Sequence, residues 1–274
     1  MKNLKRLFKS AFDFFYHLFK QRHLILTLSR RDFERKYINN FFGMIWAILD
    51  PFAFVIILYF VFGSRNGSHT EMGVPFVIYL LFGYISFDLF SLSIQNLTQS
   101  VSDHAFLLKK IDFKVSILPV VRMLSNLMVH GVVLFICLII LLFNHIYPNF
   151  YWFQLIYYII ALSVFMIATA WFTSSVFLFF PDISNIINII SRVLFFVTPI
   201  FWTMNGFSNK YMFLLKLNPL YYIVNGYRES LFNQHGFWQH PVLTFYYWLL
   251  CIIMLIVGIL VFKKLRPHFA DVVA

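Results

Sequence analysis

Charged residues are scarce in this sequence of 274 amino acids. Asp, Glu, Lys and Arg make up only 12% of it, whereas 61% of the residues are hydrophobic and the mean hydropathy is +0.77. Aromatic residues make up 21% of the sequence, more than a single core can hide from water. The composition therefore excludes a soluble globular enzyme and indicates that much of the apolar surface faces lipid.

Cysteine is equally scarce. The two cysteines, Cys137 and Cys251, both lie within apolar runs. The sequence therefore offers neither a disulfide framework nor a thiolate metal site. We interpret both cysteines as packing residues.

Several nucleotide-binding and catalytic motifs are also missing. No G-x-x-x-x-G-K-[ST] loop is present, which excludes ATP binding by a P-loop on this chain. No H-E-x-x-H pair and no D-D-x-x-D cluster occurs that would hold zinc or a magnesium diphosphate. We interpret His130, a histidine at membrane depth, as a contact between helices. We therefore predict no metal site and no catalytic site on this chain.

Six apolar runs approach the length of about 20 residues that a helix needs to cross a bilayer. They extend from Phe41 to Phe62, Val74 to Ile94, Ile117 to Phe143, Phe153 to Phe177, Ile186 to Trp202, and Val242 to Phe262. The runs are too long for barrel strands and lack the alternation that such strands require. The sequence predicts an all-α integral membrane protein with six transmembrane helices.

Lysine and arginine are distributed unevenly along the chain. The 22 basic and 11 acidic residues give a net charge of +11. Most basic residues fall before the first span, in the loop after the second span and in the tail. By the positive-inside rule these segments, and so both termini, are cytoplasmic. Because the excess charge follows the topology, it gives little support to nucleic-acid binding.

The segment before the first span has a pattern of its own. Apolar residues recur at helical spacing from Leu4 to Phe19, with basic residues on the opposite face. Such a helix lies along a membrane surface and can also dock a partner. We divide the chain into an amphipathic cytoplasmic segment (1–40), a six-helix membrane domain (41–262) and a cytoplasmic tail (263–274).

Charged residues also occur inside the predicted spans, among them Asp50, Asp88 and Arg192. Charges at membrane depth are costly and usually face a cavity or a partner. Asp50 lies about nine residues and Asp88 about six residues from the cytoplasmic end of its span, so both are placed in the inner half of the membrane at similar depth. Arg192 either neutralises one of these acids or lines a wet vestibule with both of them. Alternatively, each charge is satisfied separately.

Local motifs follow one another in a fixed order along the chain. The first group lies at the start of the first span and comprises Arg31-Asp32, Lys36-Tyr37, Gly43, Trp46 and Asp50-Pro51. After the second span comes AFLLKKIDFKVSILP, from Ala105 to Pro119. The fifth span ends in Thr198-Pro199-Ile200, and the segment beyond it contains Asn218-Pro219 followed by Arg228.

In this order the motifs resemble those of the permease subunits of type-2 ABC exporters, the branch that moves polysaccharides and teichoic acids out of bacteria. The resemblance covers nearly the whole chain. Lys36 replaces the arginine of the family's R-Y motif, and Pro181-Asp182 replaces its usual Arg-Asp. Within the family, Gly73 to Phe76, Ile146 to Pro148, Asn218 to Tyr222 and Phe269 to Asp271 are most like the wall teichoic acid translocation permease.

The resemblance implies a motor on a separate subunit. Two ATP-binding subunits, which carry ATP and magnesium, would dock on two copies of this permease. Their contacts are expected around residues 30–37 and 96–114, where apolar side chains are flanked by charges as in an interface core and rim. The residues expected to couple to the ATPase are Arg31, Asp32, Asp103, Phe106, Leu107, Lys109, Lys110 and Asp112.

The resemblance also implies a cargo: a teichoic acid linked through diphosphate to a polyprenol, exported across the bacterial plasma membrane for cell wall biogenesis. The conduit would lie between the two permeases. Candidates for the substrate pathway are Arg35, Lys36, Trp46, Asp50, Asp88, Arg192, Tyr79, Phe82, Phe196 and Trp202. For the aromatic residues, an interfacial belt is the alternative that we favour over sugar stacking.

The segment from Thr203 to Pro241 is too long for a simple turn, and Pro219 and three glycines divide it. It is expected to form short re-entrant helices, since irregular backbone at membrane depth must be buried in protein or line a cavity. The outer-gate candidates are Tyr221, Tyr222, Tyr227 and Arg228. A folded external cap without a gating role is the alternative.

Other classes of function remain open. The main alternative is a membrane enzyme that acts on polyprenyl-linked sugars, although the chain lacks a paired-carboxylate or metal motif. Others are a passive channel and a scaffold for cell-envelope assembly. Within the exporter class, O-antigen, capsule, drug and small-lipid substrates are alternatives to teichoic acid.

Overall fold

The computed structural model describes residues 20–37, 42–66, 72–108, 114–202 and 208–272. The amphipathic helix expected near the N-terminus lies, apart from Lys20, outside these residues. Within them the fold is all-helical, as predicted. The longer helices are α1 (Arg22–Tyr37), α2 (Ile45–Asn66), α3 (Phe76–Thr98), α4 (Leu118–Phe143), α5 (Gln154–Phe177), α6 (Ile183–Val197), α7 (Asn209–Lys216), α8 (Pro219–Arg228) and α9 (Pro241–Leu265).

Five helical segments of the described residues are long and apolar enough to cross a bilayer. They are Ile45–Phe62, Phe76–Thr98, Val115–Phe143, Phe150–Phe177 and Pro241–His268. They correspond to five of the six predicted spans, in α2, α3, α4, α5 and α9. The remaining predicted span, the fifth in chain order, corresponds to α6, a shorter apolar helix.

Helix α6 ends earlier than the sequence predicts. The apolar run was expected to continue from Ile186 to Trp202, but the helix ends at Val197 and Thr198 is extended, with φ −76° and ψ 134°. Pro199 is the cause, because proline disfavours a helical conformation in the residue before it. With 15 residues, α6 spans about 22 Å, less than the hydrocarbon thickness of about 30 Å.

Helix α3 forms the centre of the bundle. Its side chains are buried along most of its length, and it packs against α2, α4, α5, α6 and α8. Helix α9 packs along α5 at very close range, since a Cβ atom at Gly258 would collide with the carbonyl oxygen of Ala168. Small residues of this kind let membrane helices approach each other when no water is present to drive their association.

The two ends of the bundle carry different additional elements. At one end, α1 packs on the start of α4 through a cluster of Ile25, Ile117 and Val121. At the other end, α7 and α8 occupy the region where short re-entrant helices were predicted. Asn218 caps α8 by accepting a hydrogen bond from the Leu220 amide at 3.0 Å.

Candidate functional site

Arg122 of α4 joins two segments that the sequence analysis assigned to ATPase coupling. Its Nη1 lies 2.9 Å from Oδ1 of Asp32 in α1, and its Nη2 lies 2.6 Å from Oδ2 of Asp103, which follows α3. The side chains of Asp32 and Arg122 are only 7% and 15% exposed, whereas that of Asp103 is 43% exposed. One arginine therefore connects a buried carboxylate to one at the surface. We call this cluster the Arg122 joint.

Arg122 was not among the site residues predicted from the sequence. The signal was present, because Arg122 is the only Asp, Glu, Lys or Arg in the 26 residues of α4. A single charge near the start of an apolar helix requires a partner or water. The same argument that selected Asp50, Asp88 and Arg192 therefore also applies to Arg122.

The other predicted coupling residues lie at the same end of the bundle where the structure describes them. Arg31 is exposed on α1. Phe106 lies on a short helix, Ala105–Leu108, with 62% of its surface exposed. The side chain of Leu107, and Lys109, Lys110 and Asp112, lie outside the described residues. An exposed phenylalanine beside the Arg122 joint is a suitable anchor for a partner protein.

Lys36 lies at the end of α1, where the carboxylates of Asp32 in the Arg122 joint and of Asp88 in α3 both act on it. Burial lowers the pKa of Lys36 from its usual value near 10.5, while the carboxylates of Asp32 and Asp88 act in the opposite direction. Burial also raises the pKa of the neighbouring Tyr37 to about 12. The candidate pathway residue Arg35 is exposed on the same turn.

The neighbours of Asp88 in α3 differ from the sequence-based hypothesis, which paired Asp50 or Asp88 with Arg192. Its carboxylate accepts a hydrogen bond from the Tyr84 hydroxyl and is influenced by the charges of Asp50 and Lys36. Among the described residues, Arg192 forms no ion pair with Asp50 or Asp88. Direct neutralisation of either acid by Arg192 is therefore not observed in this structure. Lys36 is the basic residue that acts on Asp88.

Arg192 instead lines a groove of about 300 Å³ between α2, α3 and α6. The groove has both aromatic and polar walls, including Tyr84, Asn188 and Phe196. Arg192 and Asp50 are both exposed, although they lie on helices that otherwise present large apolar side chains. Two exposed charges on apolar membrane helices require a covering that is not lipid.

The aromatic candidates for the substrate pathway differ in their exposure. Tyr79 and Phe82 are buried in α3 and do not reach an open surface in this structure. Trp46 and Phe196 are exposed on α2 and α6. Trp202 is half-buried, and its indole donates to the Phe196 carbonyl at 3.2 Å. Only the exposed pair lies on the face that carries Asp50 and Arg192.

Arg228, one of the outer-gate candidates, is a buried crosslink. Its side chain is 1% exposed, and its guanidinium lies 3.5 Å from the centre of the Tyr79 ring. It donates hydrogen bonds to the carbonyls of Tyr79, Pro199 and Ile200. The arginine thus joins α8, the first turn of α3 and the turn after α6 through charge-assisted hydrogen bonds to backbone oxygens.

The space for this guanidinium depends on Gly83. A Cβ atom at that position would collide with Nη2 of Arg228. Glycine in the middle of a helix usually destabilises it by about 1 kcal/mol relative to alanine. At Gly83 this cost is offset by the buried contacts that Arg228 makes.

The three tyrosines predicted at the outer gate are also buried. The Tyr222 hydroxyl lies 2.9 Å from that of Tyr157 and 3.0 Å from the Thr244 hydroxyl. The Tyr227 hydroxyl lies 3.1 Å from Nε2 of His130, which confirms the interpretation of His130 as a contact between helices. Tyr221 is buried in α8. All four gate candidates therefore form a packed layer here, and their gating role stays a prediction.

Comparison with known proteins identifies the family of the chain. The family model described as "ABC-2 type transporter" matches residues 23–232. The chain belongs to the ABC-2 type transporter family. It is therefore a multi-pass membrane permease, and membership implies an ATP-binding partner subunit in an ABC exporter.

Curated relatives of this ABC-2 permease cover most of its length. An O-antigen export system permease protein RfbA from Klebsiella pneumoniae is 27% identical over 256 residues, 91% of this chain and 94% of the relative. RfbA from Myxococcus xanthus is 22% identical, covering 80% and 83% of the two chains. The polysialic acid transport protein KpsM from Escherichia coli is 22% identical, covering 89% and 93%.

These relatives confirm the resemblance to ABC-2 permeases but not the finer resemblance to a teichoic acid permease. Their names refer to O-antigen and polysialic acid. The O-antigen and capsule alternative therefore agrees better with the comparisons than the teichoic acid expectation does. The segments that suggested teichoic acid are each only three to five residues long.

Proposed function

We propose that this ABC-2 permease exports a lipid-linked polysaccharide of the O-antigen or capsule kind, driven by ATP hydrolysis on a separate subunit. The cargo is supported by the relatives, whose names specify O-antigen and polysialic acid and which align over 80% or more of this chain. Teichoic acid, another polymer carried on a polyprenyl diphosphate, is the second candidate. It rests on the sequence motifs alone.

The Arg122 joint is the observation that carries the proposed mechanism. A motor on another subunit must transmit movement through rigid contacts. The joint holds α1, the start of α4 and the segment after α3 together through a buried ion pair and an exposed one. An ATP-binding subunit that contacts Phe106 and Asp103 would therefore act on three membrane-linked elements at once.

The proposed orientation places the Arg122 joint in the cytoplasm. The basic residues Arg22, Arg30, Arg31 and Arg35 of α1 belong to this end of the bundle, as does Lys114. The positive-inside rule assigns such an end to the cytoplasm. The opposite end, which carries α7 and α8, is then the exit side for the polymer.

The conduit is proposed to lie where α2 and α6 meet a second copy of the permease. Both helices expose large apolar side chains together with Asp50 and Arg192. A second copy related by a two-fold axis would cover the apolar part and enclose the charges in a polar path. Two permeases and two ATP-binding subunits would form the complete exporter.

Basic residues at the cytoplasmic entrance suit the diphosphate of the lipid carrier. Arg35 and Lys36 lie at the end of α1, and Arg192 lies in the groove between α2, α3 and α6. Guanidinium groups bind phosphate oxygens through paired, charge-assisted hydrogen bonds. We propose that these side chains receive the diphosphate before the polymer enters the conduit.

Stimulation of ATP hydrolysis tests this cargo. The permease is co-purified with its ATP-binding subunit and reconstituted in liposomes with polyprenyl-diphosphate-linked O-antigen, capsular polymer or teichoic acid. Stimulation by the first two and not by the third supports the proposal. Stimulation by teichoic acid alone would transfer the assignment to that polymer, and sugar turnover by the isolated chain would favour the membrane-enzyme alternative.

A further inference from the structure

Three possible metal ligands meet at the end of the bundle opposite the Arg122 joint. Carboxylate and imidazole atoms of Glu229, His235 and His240 all lie within 4.8 Å of one another. Nε2 of His240 is 3.1 Å from Oε2 of Glu229. None of the three was selected from the sequence, because their spacing matches no standard metal-binding motif.

The backbone is shaped so that these side chains converge. Helix α8 continues from Glu229 to Asn233 as a π-helix, a rare form that is often found at functional sites. The next residue, Gln234, has φ +55°, a left-handed conformation that is uncommon for residues other than glycine. This turn brings the amide of His235 back to the Glu229 carbonyl, at 3.2 Å.

The carboxylate of Glu229 is held in place by a neighbour. The Asn225 side-chain amide donates to its Oε1 at 2.7 Å, which leaves Oε2 directed at His240. Outer groups of this kind orient metal ligands and raise their affinity. The site is also accessible, because His235 is exposed and the His240 side chain is 40% exposed.

We propose that Glu229, His235 and His240 bind a zinc ion. Two imidazoles and one carboxylate are a common three-ligand set for zinc, with a fourth position left for water. Tetrahedral zinc with bonds of about 2.1 Å needs ligand atoms about 3.4 Å apart. The observed separations are at most 4.8 Å, so the ligand atoms would have to move closer by about 1.4 Å or less to reach this geometry.

Zinc at this site would crosslink two elements of the exit side. Glu229 and His235 belong to the π-helix and turn after α8, whereas His240 immediately precedes α9. The metal would hold the end of the re-entrant segment against the last membrane helix. The inference does not depend on the cargo, since metal binding is measured on the permease itself.

Zinc content and thermal unfolding of the full-length permease test the proposal. The protein is purified in detergent without a polyhistidine tag, stripped with a chelator and then exposed to zinc chloride. We expect one tightly held zinc per chain and a raised unfolding temperature. Magnesium chloride should have neither effect, because magnesium prefers an all-oxygen shell.

Substitution of the three proposed ligands distinguishes zinc binding at this site from incidental zinc binding elsewhere. His235→Ala, His240→Ala and Glu229→Gln should each weaken zinc binding by at least about tenfold, the loss expected even for a supporting group. His268→Ala is the matched control, because His268 also lies beside one carboxylate, that of Asp271 at 3.9 Å. Unfolding temperatures without zinc show whether each variant still folds.

Equal zinc retention by the wild type and the His235→Ala/His240→Ala double variant would overturn the proposal, as would absence of retained zinc in a folded wild type. Glu229→Gln keeps a side chain able to bond Asn225 and is the variant least expected to disturb folding. A folded Glu229→Gln protein that binds zinc as tightly as the wild type would therefore also contradict the site.

Discussion

Arg122 and Asp32 form an ion pair, with Nη1 2.9 Å from Oδ1, that fixes α1 against the start of α4. The same arginine reaches Asp103 at 2.6 Å. The buried pair and the exposed pair are expected to serve different purposes. Burial makes the first pair necessary for folding, whereas exposure makes the second pair available to a moving partner.

Asp103→Asn should uncouple the permease from its motor with little loss of stability. An exposed ion pair is worth about 1 kcal/mol or less, so the unfolding temperature should change little. ATP hydrolysis by the complex should lose most of its stimulation by cargo. Asp271→Asn is the control, because Asp271 forms an exposed pair with His268, at 3.9 Å, that lies outside both proposed contact regions. Equal effects of the two substitutions would contradict the prediction.

Arg122→Met should destabilise the permease more strongly. It leaves the carboxylate of Asp32, only 7% exposed, without its charged partner, and breaking a buried pair costs about 3 kcal/mol or more. The double variant Asp32→Asn/Arg122→Met should recover part of this loss, since the buried carboxylate that Arg122→Met leaves without its arginine is also removed. Thermal unfolding in detergent measures both. A double variant no more stable than Arg122→Met would show that the two residues do not interact.

Gly83→Ala should have the same effect as Arg228→Lys. The first substitution blocks the guanidinium position, and the second removes a planar group that binds three carbonyls at once. Each should cost about 3 kcal/mol, since hydrogen bonds to charged groups contribute more than neutral ones. Gly131→Ala in α4 is the control, because nothing lies within 4 Å of its added Cβ. Equal unfolding temperatures for Gly83→Ala and Gly131→Ala would contradict the crosslink.

Removing the Asp88 carboxylate should compensate for the loss of Lys36 and not for the loss of Arg192. Lys36→Met leaves Asp88 without the basic residue that acts on it, so export should fall. Asp88→Asn added to Lys36→Met should restore part of it. Asp88→Asn added to Arg192→Met should not, because Arg192 and Asp88 form no ion pair in the described structure. Rescue of Arg192→Met, and not of Lys36→Met, would return the pairing to the first hypothesis.

Cysteine crosslinking in native membranes tests the proposed permease interface. Val193 in α6 and Ile57 in α2 are both exposed, as is Ile253 in α9. Val193→Cys and Ile57→Cys should form crosslinks between copies, whereas Ile253→Cys should not, because α9 lies outside the proposed interface. The native Cys137 and Cys251 are buried and remain in all variants. Crosslinking through Ile253→Cys alone would place the interface on α9.

Much of the fold could be predicted from local patterns. Long apolar runs locate α3, α4, α5 and α9, because a bilayer requires about 20 such residues in each helix. The early end of α6 at Val197 could have been predicted as well, since Pro199 disfavours a helical conformation at Thr198. The positions of the short helices α7 and α8 followed from the length of the segment that contains them.

The partners of individual side chains were harder to predict. Arg122 has a signal in the sequence, as the single charge of an apolar helix. Arg228 has none, because its partners are backbone carbonyls of Tyr79, Pro199 and Ile200, and every residue carries a carbonyl. Glu229, His235 and His240 meet through a π-helix and a left-handed residue, which local residue preferences do not predict.

ATP-dependent export by the reconstituted complex tests the central claim most directly. The permease is co-expressed with its ATP-binding subunit, placed in liposomes with a polyprenyl-diphosphate-linked O-antigen polymer, and the polymer that reaches the other leaflet is measured. The account predicts export that requires ATP and that is lost in Asp103→Asn while the two subunits still co-purify. Export without ATP, or a permease that purifies with no ATP-binding subunit, would contradict it.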